Sequence, residues 1–197
     1  MNSINSICVY SASSSLVADF YIKEAENLGK CLADHKINLV YGAGKKGLMG
    51  AVADSVLKNG GSVTGVIPTF MVEQNWHHPH LTELLEVDSM HARKQKMADL
   101  SDGVIALPGG CGTLEELLEI ITWKQLGLYP HPIIIVNTHG FYNPLIEMLD
   151  KAINEQFMRA DHKMLWSVAN SVNDVLDLLF TTPTWDPSIG KFATTTR

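Results

Sequence analysis

Cysteine is scarce in this chain. Cys8, Cys31 and Cys111 form no C-x-x-C pair, so neither a disulfide framework nor a zinc ribbon is indicated. Long apolar runs are also missing: serines interrupt the first one, no basic region precedes it, and nothing has the length of a membrane span. The expected setting is therefore the cytoplasm, without membrane association. Positive charge is in deficit, with 15 Lys and Arg against 21 Asp and Glu and a net charge of −6. That balance argues against a nucleic-acid partner, yet a few local cations can still hold a small phosphate. There is no Gly-x-Ser-x-Gly elbow, which removes the usual serine hydrolase. The histidines of His77-His-Pro-His80 lack acidic or cysteine companions and helical i, i+4 spacing. They predict a solvated loop and no metal site.

Neither an internal repeat nor a linker divides the 197 residues, so residues 1–180 are expected to form a single nucleotide-binding domain. The Thr- and Pro-containing tail 181–197 is expected to be mobile. Apolar runs predict strands at 4–10, 37–41, 63–67, 84–87, 103–107, 133–136 and 165–169. Between them, helical periodicity marks 16–35, 47–58, 90–101, 113–127, 141–154 and 172–180. Leu16, Phe20, Leu28 and Leu32 are among the apolar positions of the first helix, and 68–82 shows no clear period. Strands alternating with helices predict an α/β fold, a doubly wound parallel sheet with its glycine loops gathered along one rim.

The most informative stretch is Gly103-Val-Ile-Ala-Leu-Pro108-Gly-Gly-Cys-Gly-Thr113-Leu-Glu-Glu116. A buried strand that breaks into glycines and restarts as a helix aims backbone amides, with the positive helix end, at an anion. Thr113 can cap that helix or offer its hydroxyl to a phosphate, and Thr113-Leu-Glu-Glu116 is also the pattern of a capping box. Leu114, Leu117, Leu118 and Ile121 make the main apolar stripe, while Glu116, Ile120 and Trp123 fall on another side. That second side predicts a subunit interface near Glu116, or else a helix buried on both sides within one subunit.

Gly42-x-Gly44-x-x-Gly47 matches the dinucleotide fingerprint, but the acidic residue expected some way beyond it is missing. A tight strand-to-helix turn lining a pocket is the better reading. In Met90-His-Ala-Arg93-Lys94, both cations lie within the apolar stripe of Met90, Met97 and Leu100. Inward cations need an anionic partner, a phosphate or a carboxylate, unless their ends snorkel to solvent.

Taken together, Pro108-Gly-Gly-x-Gly-Thr-x-x-Glu116 and Met90-His-x-Arg93-Lys94 resemble the signature of the "Lonely guy" (LOG) family, the cytokinin riboside 5′-monophosphate phosphoribohydrolases long mislabelled as lysine decarboxylases. The similarity spans residues 4–180. It implies a Rossmann-like homodimer, with the active site near the subunit interface and neither metal nor organic cofactor. The implied reaction hydrolyses the N-glycosidic bond of AMP or an N6-substituted AMP, releasing the base and ribose 5-phosphate. By matching position, Arg93 and Glu116 take the catalytic roles. Lys94, Thr122 and Asn75 take substrate contacts, and Gly109, Gly110, Cys111, Gly112 and Thr113 the phosphate loop. Asn75 stands where the family often has Glu, Ser11-Ala12 where Cys-Gly is usual, and Gly42-Ala-Gly-Lys-Lys where the family loop is richer in glycine. A carrier of a nucleotide or phosphorylated cofactor would use the same cup without catalysis. An amino-acid decarboxylase would need a lysine bound to pyridoxal phosphate, and no lysine stands in a context that singles it out.

Overall fold

The strands follow the apolar runs. In the computed structural model, which describes residues 4–186, seven parallel strands form one sheet in the order β4-β3-β2-β1-β5-β6-β7. They are β1 (Ser6–Tyr10), β2 (Asn38–Tyr41), β3 (Val63–Pro68), β4 (Glu83–Val87), β5 (Val104–Ala106), β6 (Ile133–Val136) and β7 (Ser167–Ala169). The helices are α1 (Asp19–Asp34), α2 (Gly47–Lys58), α3 (Thr69–Glu73), α4 (Met90–Asp99), α5 (Cys111–Gln125), α6 (Asn143–Asn154) and α7 (Val175–Thr181). Side chains alternate across the pleat, so each strand feeds two cores. Ile7 and Val9 of β1 join the cluster under α1, α2 and α7. Cys8 and Tyr10 join the one under α4, α5 and α6. The doubly wound parallel α/β sheet expected from the sequence is the observed fold.

The winding reverses beside β1. The chain runs outward from β1 to β4, then returns so that β5 pairs with β1 on its other side. The loops after β1 and β5 therefore part company, which opens a crevice at the carboxyl ends of the central strands. Ser11, Ala12, Ser13 and Ser14 of the first loop and Gly110 of the second border it.

Several boundaries differ from the sequence expectation. The first helix begins at Asp19, and Leu16 is almost fully exposed in the preceding loop, although Leu28 and Leu32 are buried as expected. The aperiodic stretch 68–82 holds the short helix α3. The last strand is shortened by a 3-10 turn over Ala160–Leu165, and α7 is preceded by another over Val172–Asp174. Of the segment expected to be mobile, 187–197 lies outside the described residues. Thr181 ends α7, and Trp185 is buried with its amide donating to Pro130 O at 3.4 Å.

One buried group works against the fold. Lys124, on the inner side of α5, is fully buried and its Nζ has no hydrogen-bond partner. Burial draws its ammonium down from 10.5 to about 8. A folded value below the unfolded one means that the charged form opposes folding. The cost is complete below pH 8 and gone above pH 10.5. Lys124→Met is thus expected to stabilise the protein by about 3 kcal/mol at neutral pH. Urea denaturation of both proteins checks this, and their difference should shrink between pH 8 and 10.5. The difference is the informative quantity, because the buried phenols of Tyr41 and Tyr129, with raised pKa values, impose an opposite alkaline trend on both proteins.

Candidate active site

The break after β5 produces an uncapped helix end. Gly110 is the N-cap of α5 and no side chain caps it. The first intrahelical bond runs from Leu114 N to Gly110 O at 3.0 Å, so the amides of Cys111, Gly112 and Thr113 open towards the crevice. No acidic residue occupies the first turn. The positive end of a fifteen-residue helix therefore meets a space free of competing carboxylates in that turn. Thr113 is not the cap that its sequence pattern invites. It is the third residue of the helix, and its buried side chain packs against the space left by the missing Cβ of Gly109.

A cavity of about 850 Å³ lies over this helix end. Gly110, Cys111, Gly112 and Thr113 line it on one side, with Ser11, Ser13 and Ser14 from the loop after β1. Met49, Ile67, Met71, Trp76 and Met90 give it an apolar wall, and Arg93, Glu115, Glu116 and Asn75 also reach it. Gly109 lies behind this lining and serves it through Thr113.

Arg93 and Glu116 meet inside. Arg93 comes from α4, whose start Ser89 caps by accepting from Ala92 N at 3.1 Å. Its Nη1 donates to Glu116 Oε1 at 3.3 Å, Nε to Val66 O at 3.2 Å and Nη2 to Gly42 O at 3.1 Å. Three fixed bonds hold the guanidinium, which in turn orients the carboxylate. Burial raises the Glu116 pKa above the usual carboxylate value, with Arg93 pulling the other way. Cys8 and Tyr10 lie close enough to feel this charge, and burial holds both neutral. The second reading of Thr113-Leu-Glu-Glu116 thus gives way: Glu116 pairs with Arg93 across the helices instead of closing a capping box.

Lys94 turns elsewhere. It is buried, but its Nζ is held by Glu115 and by Glu119, the latter at 3.0 Å, and it does not line the cavity. Burial works against its charge, and the two carboxylates outweigh that effect. The inward cations therefore found carboxylates as partners. Thr122 is also outside: it is exposed and donates to Leu118 O at 2.8 Å. The side of α5 bearing Ile120 is packed within the subunit, so the apolar side left open is Leu118, Thr122 and Leu126, not the one containing Glu116.

The turn after β2 is structural. Met49 N donates to Ala12 O at 3.2 Å, and Gly47 (φ 61°) sits against the backbone of residues 12–14. Loop residues thus pack against the start of α2 and take up one of its free amides, that of Met49. Gly42 matters more: a Cβ at that position would fall within the Arg93 guanidinium. The loop carrying Asn75 (φ 56°) is pinned to this turn, since Lys45 Nζ donates to Asn75 O and His78 N donates to Ala43 O at 2.8 Å. His78 is not solvated as its sequence context predicts. It is buried, with Nε2 2.9 Å from Asp54 Oδ1, and its Nδ1 accepts from His80 N at 3.2 Å. Among the described residues no three His, Cys, Asp or Glu side chains are grouped to hold a metal. Gly42, Ser11 and the methionine wall were not assigned site roles from the sequence, although Gly42 opens the glycine fingerprint and Ser11 falls in the Ser11-Ala12 departure from the family pattern.

The chain has clear relatives. Residues 49–179 match the family described as possible lysine decarboxylase. A probable cytokinin riboside 5′-monophosphate phosphoribohydrolase of Oryza sativa subsp. japonica is 44% identical over 160 residues, covering 81% of this chain and 70% of that protein. A cytokinin riboside 5′-monophosphate phosphoribohydrolase of Arabidopsis thaliana is 39% identical over 173 residues, covering 88% and 76%. Among solved structures, the molybdenum cofactor binding protein of Rippkaea orientalis superposes with a TM-score of 0.69 at 20% identity, covering 90% and 96%, a likeness of fold.

Proposed function

The chain belongs to the LOG family of cytokinin riboside 5′-monophosphate phosphoribohydrolases, matched under the description possible lysine decarboxylase, and from that footing we propose that it hydrolyses AMP or an N6-substituted AMP to the free base and ribose 5-phosphate. One observation carries the reading: the uncapped amides of α5 and the Arg93–Glu116 pair face the same cavity. A phosphate gripped at residues 110–113 places its sugar one helical turn away, beside Glu116. Cleavage of the N-glycosidic bond develops positive charge at C1′, which an adjacent carboxylate stabilises. Glu116 also accepts a proton from the attacking water, whose oxygen forms the new bond to C1′ as the base departs with the N-glycosidic electron pair. Arg93 orients Glu116 and offsets its charge. The apolar wall of Met49, Met71, Trp76 and Met90 suits a base, including one with an apolar N6 substituent.

The same reading assigns the exposed Leu118, Thr122 and Leu126 side of α5 to a homodimer contact. In that arrangement Thr122 serves the neighbouring subunit's site. A carrier without catalysis would bind the nucleotide and release nothing. Base release should be followed across AMP, GMP, CMP, isopentenyl-AMP and adenosine. Because phosphate binding fixes the ribose over Glu116, adenosine is expected to react about a hundredfold or more slowly than AMP. Equal rates for the two would sink this reading.

A further inference from the structure

We propose that His78, braced by Asp54, is a positioning residue for the base: the pair fixes the loop that supplies part of the cavity's base wall. The inference rests on the nucleotide reading of the cavity and adds two residues outside it. Met71, Asn75 and Trp76 line the cavity from α3 and the loop behind it. That loop, residues 74–82, belongs to no helix or strand. What holds it is a set of contacts to the turn after β2 and to α2. Gly44 and His77 form an isolated antiparallel bridge, and His78 N donates to Ala43 O at 2.8 Å.

The His78 ring adds two more. Its Nδ1 accepts from His80 N at 3.2 Å, so the ring proton is on Nε2, which lies 2.9 Å from Oδ1 of Asp54 on α2. The ring is buried, Asp54 is exposed, and neither side chain lines the cavity. A buried ring with both nitrogens engaged selects one loop conformation, because any other leaves a buried polar atom unpaired. An apolar wall on an irregular loop helps binding only when it is ordered beforehand. Otherwise the nucleotide must offset the entropy of ordering it. The catalytic pair and the phosphate cup have separate supports. Arg93 is held by Val66 O and Gly42 O, and the cup amides belong to α5. Disturbing the His78 ring therefore loosens the hold on the base and spares the phosphate and the chemistry.

The test measures equilibrium binding of AMP and of ribose 5-phosphate, with kcat on AMP, in wild type, His78→Ala, Asp54→Ala and the double variant. His78→Ala is expected to bind AMP about tenfold more weakly, with kcat and the affinity for ribose 5-phosphate unchanged. Asp54→Ala, at an exposed position where no cavity is left, should shift the same way by a smaller factor. The double variant should bind AMP no more weakly than His78→Ala, since the two side chains act as one unit. Should His78→Ala melt below the assay temperature, Asp54→Ala carries the same comparison. Equal losses for AMP and ribose 5-phosphate would assign His78 to general support of the fold and overturn the proposal. Unchanged AMP affinity, or losses that add in the double variant, overturn it as well. If wild type binds AMP but releases no base, hydrolysis fails as a reading, and the binding series still decides His78.

Discussion

Glu116→Gln is expected to release base from AMP about a thousandfold more slowly than wild type while keeping the fold. Gln retains an amide oxygen that can accept from Arg93 Nη1, so the contact at 3.3 Å survives in kind. What disappears is the negative charge beside C1′ and the acceptor for the water's proton. Initial rates with AMP, together with circular dichroism and a melting curve, separate chemistry from folding. A variant with wild-type activity would return Glu116 to a structural role. The wild-type pH profile carries the same information. Glu116 must be ionised to act, and burial raises its pKa. Activity should therefore fall on the acid side at a pH above the ordinary carboxylate range.

Gly42→Ala should cost about a hundredfold in kcat, although the residue carries no functional group. The added Cβ would occupy the space of the Arg93 guanidinium. Neither side yields easily. Tyr41 and Ala43 flank the glycine and are buried, while Arg93 is held to Val66 O as well as to Gly42 O. The arginine must then swing away and release Glu116. Displacing Arg93 removes the larger of the two cationic influences that lower the Glu116 pKa, Lys94 being the other, so the acid limb of the pH profile should also move upward. Activity with an unmoved acid limb would mean that Arg93 does not orient Glu116.

Much of this architecture was legible because period-two and helical patterns are local. Ile133–Val136 and Val104–Ala106 are apolar on both faces, as strands inside a two-faced sheet must be. The inward placement of Arg93 and Lys94 was also legible, from their spacing to Met90. What the pattern does not contain is which anion each cation meets. Lys94 took Glu115 and Glu119, and Arg93 took Glu116, because the tertiary fold brings the carboxylates of α5 within reach of the long side chains of α4. The capping signal at Thr113 misled for a physical reason: the glycines before it already have helical or extended freedom, so the helix starts at Cys111 and the threonine is carried inside. His78 looked solvated since its partner, Asp54, is on α2 and 24 residues away. The outward side of α5 could not be chosen from a wheel that was apolar on two sides; the core decided, taking Ile120 and leaving Leu118 and Leu126.

The most direct test is the position of a bound nucleotide, from a crystal structure with AMP in the Glu116→Gln protein. The account predicts phosphate oxygens within hydrogen-bond distance of the amides of residues 111–113 and C1′ turned towards residue 116. A phosphate seated instead on Lys45 and Lys46, or a sugar with C1′ facing away from residue 116, would contradict it.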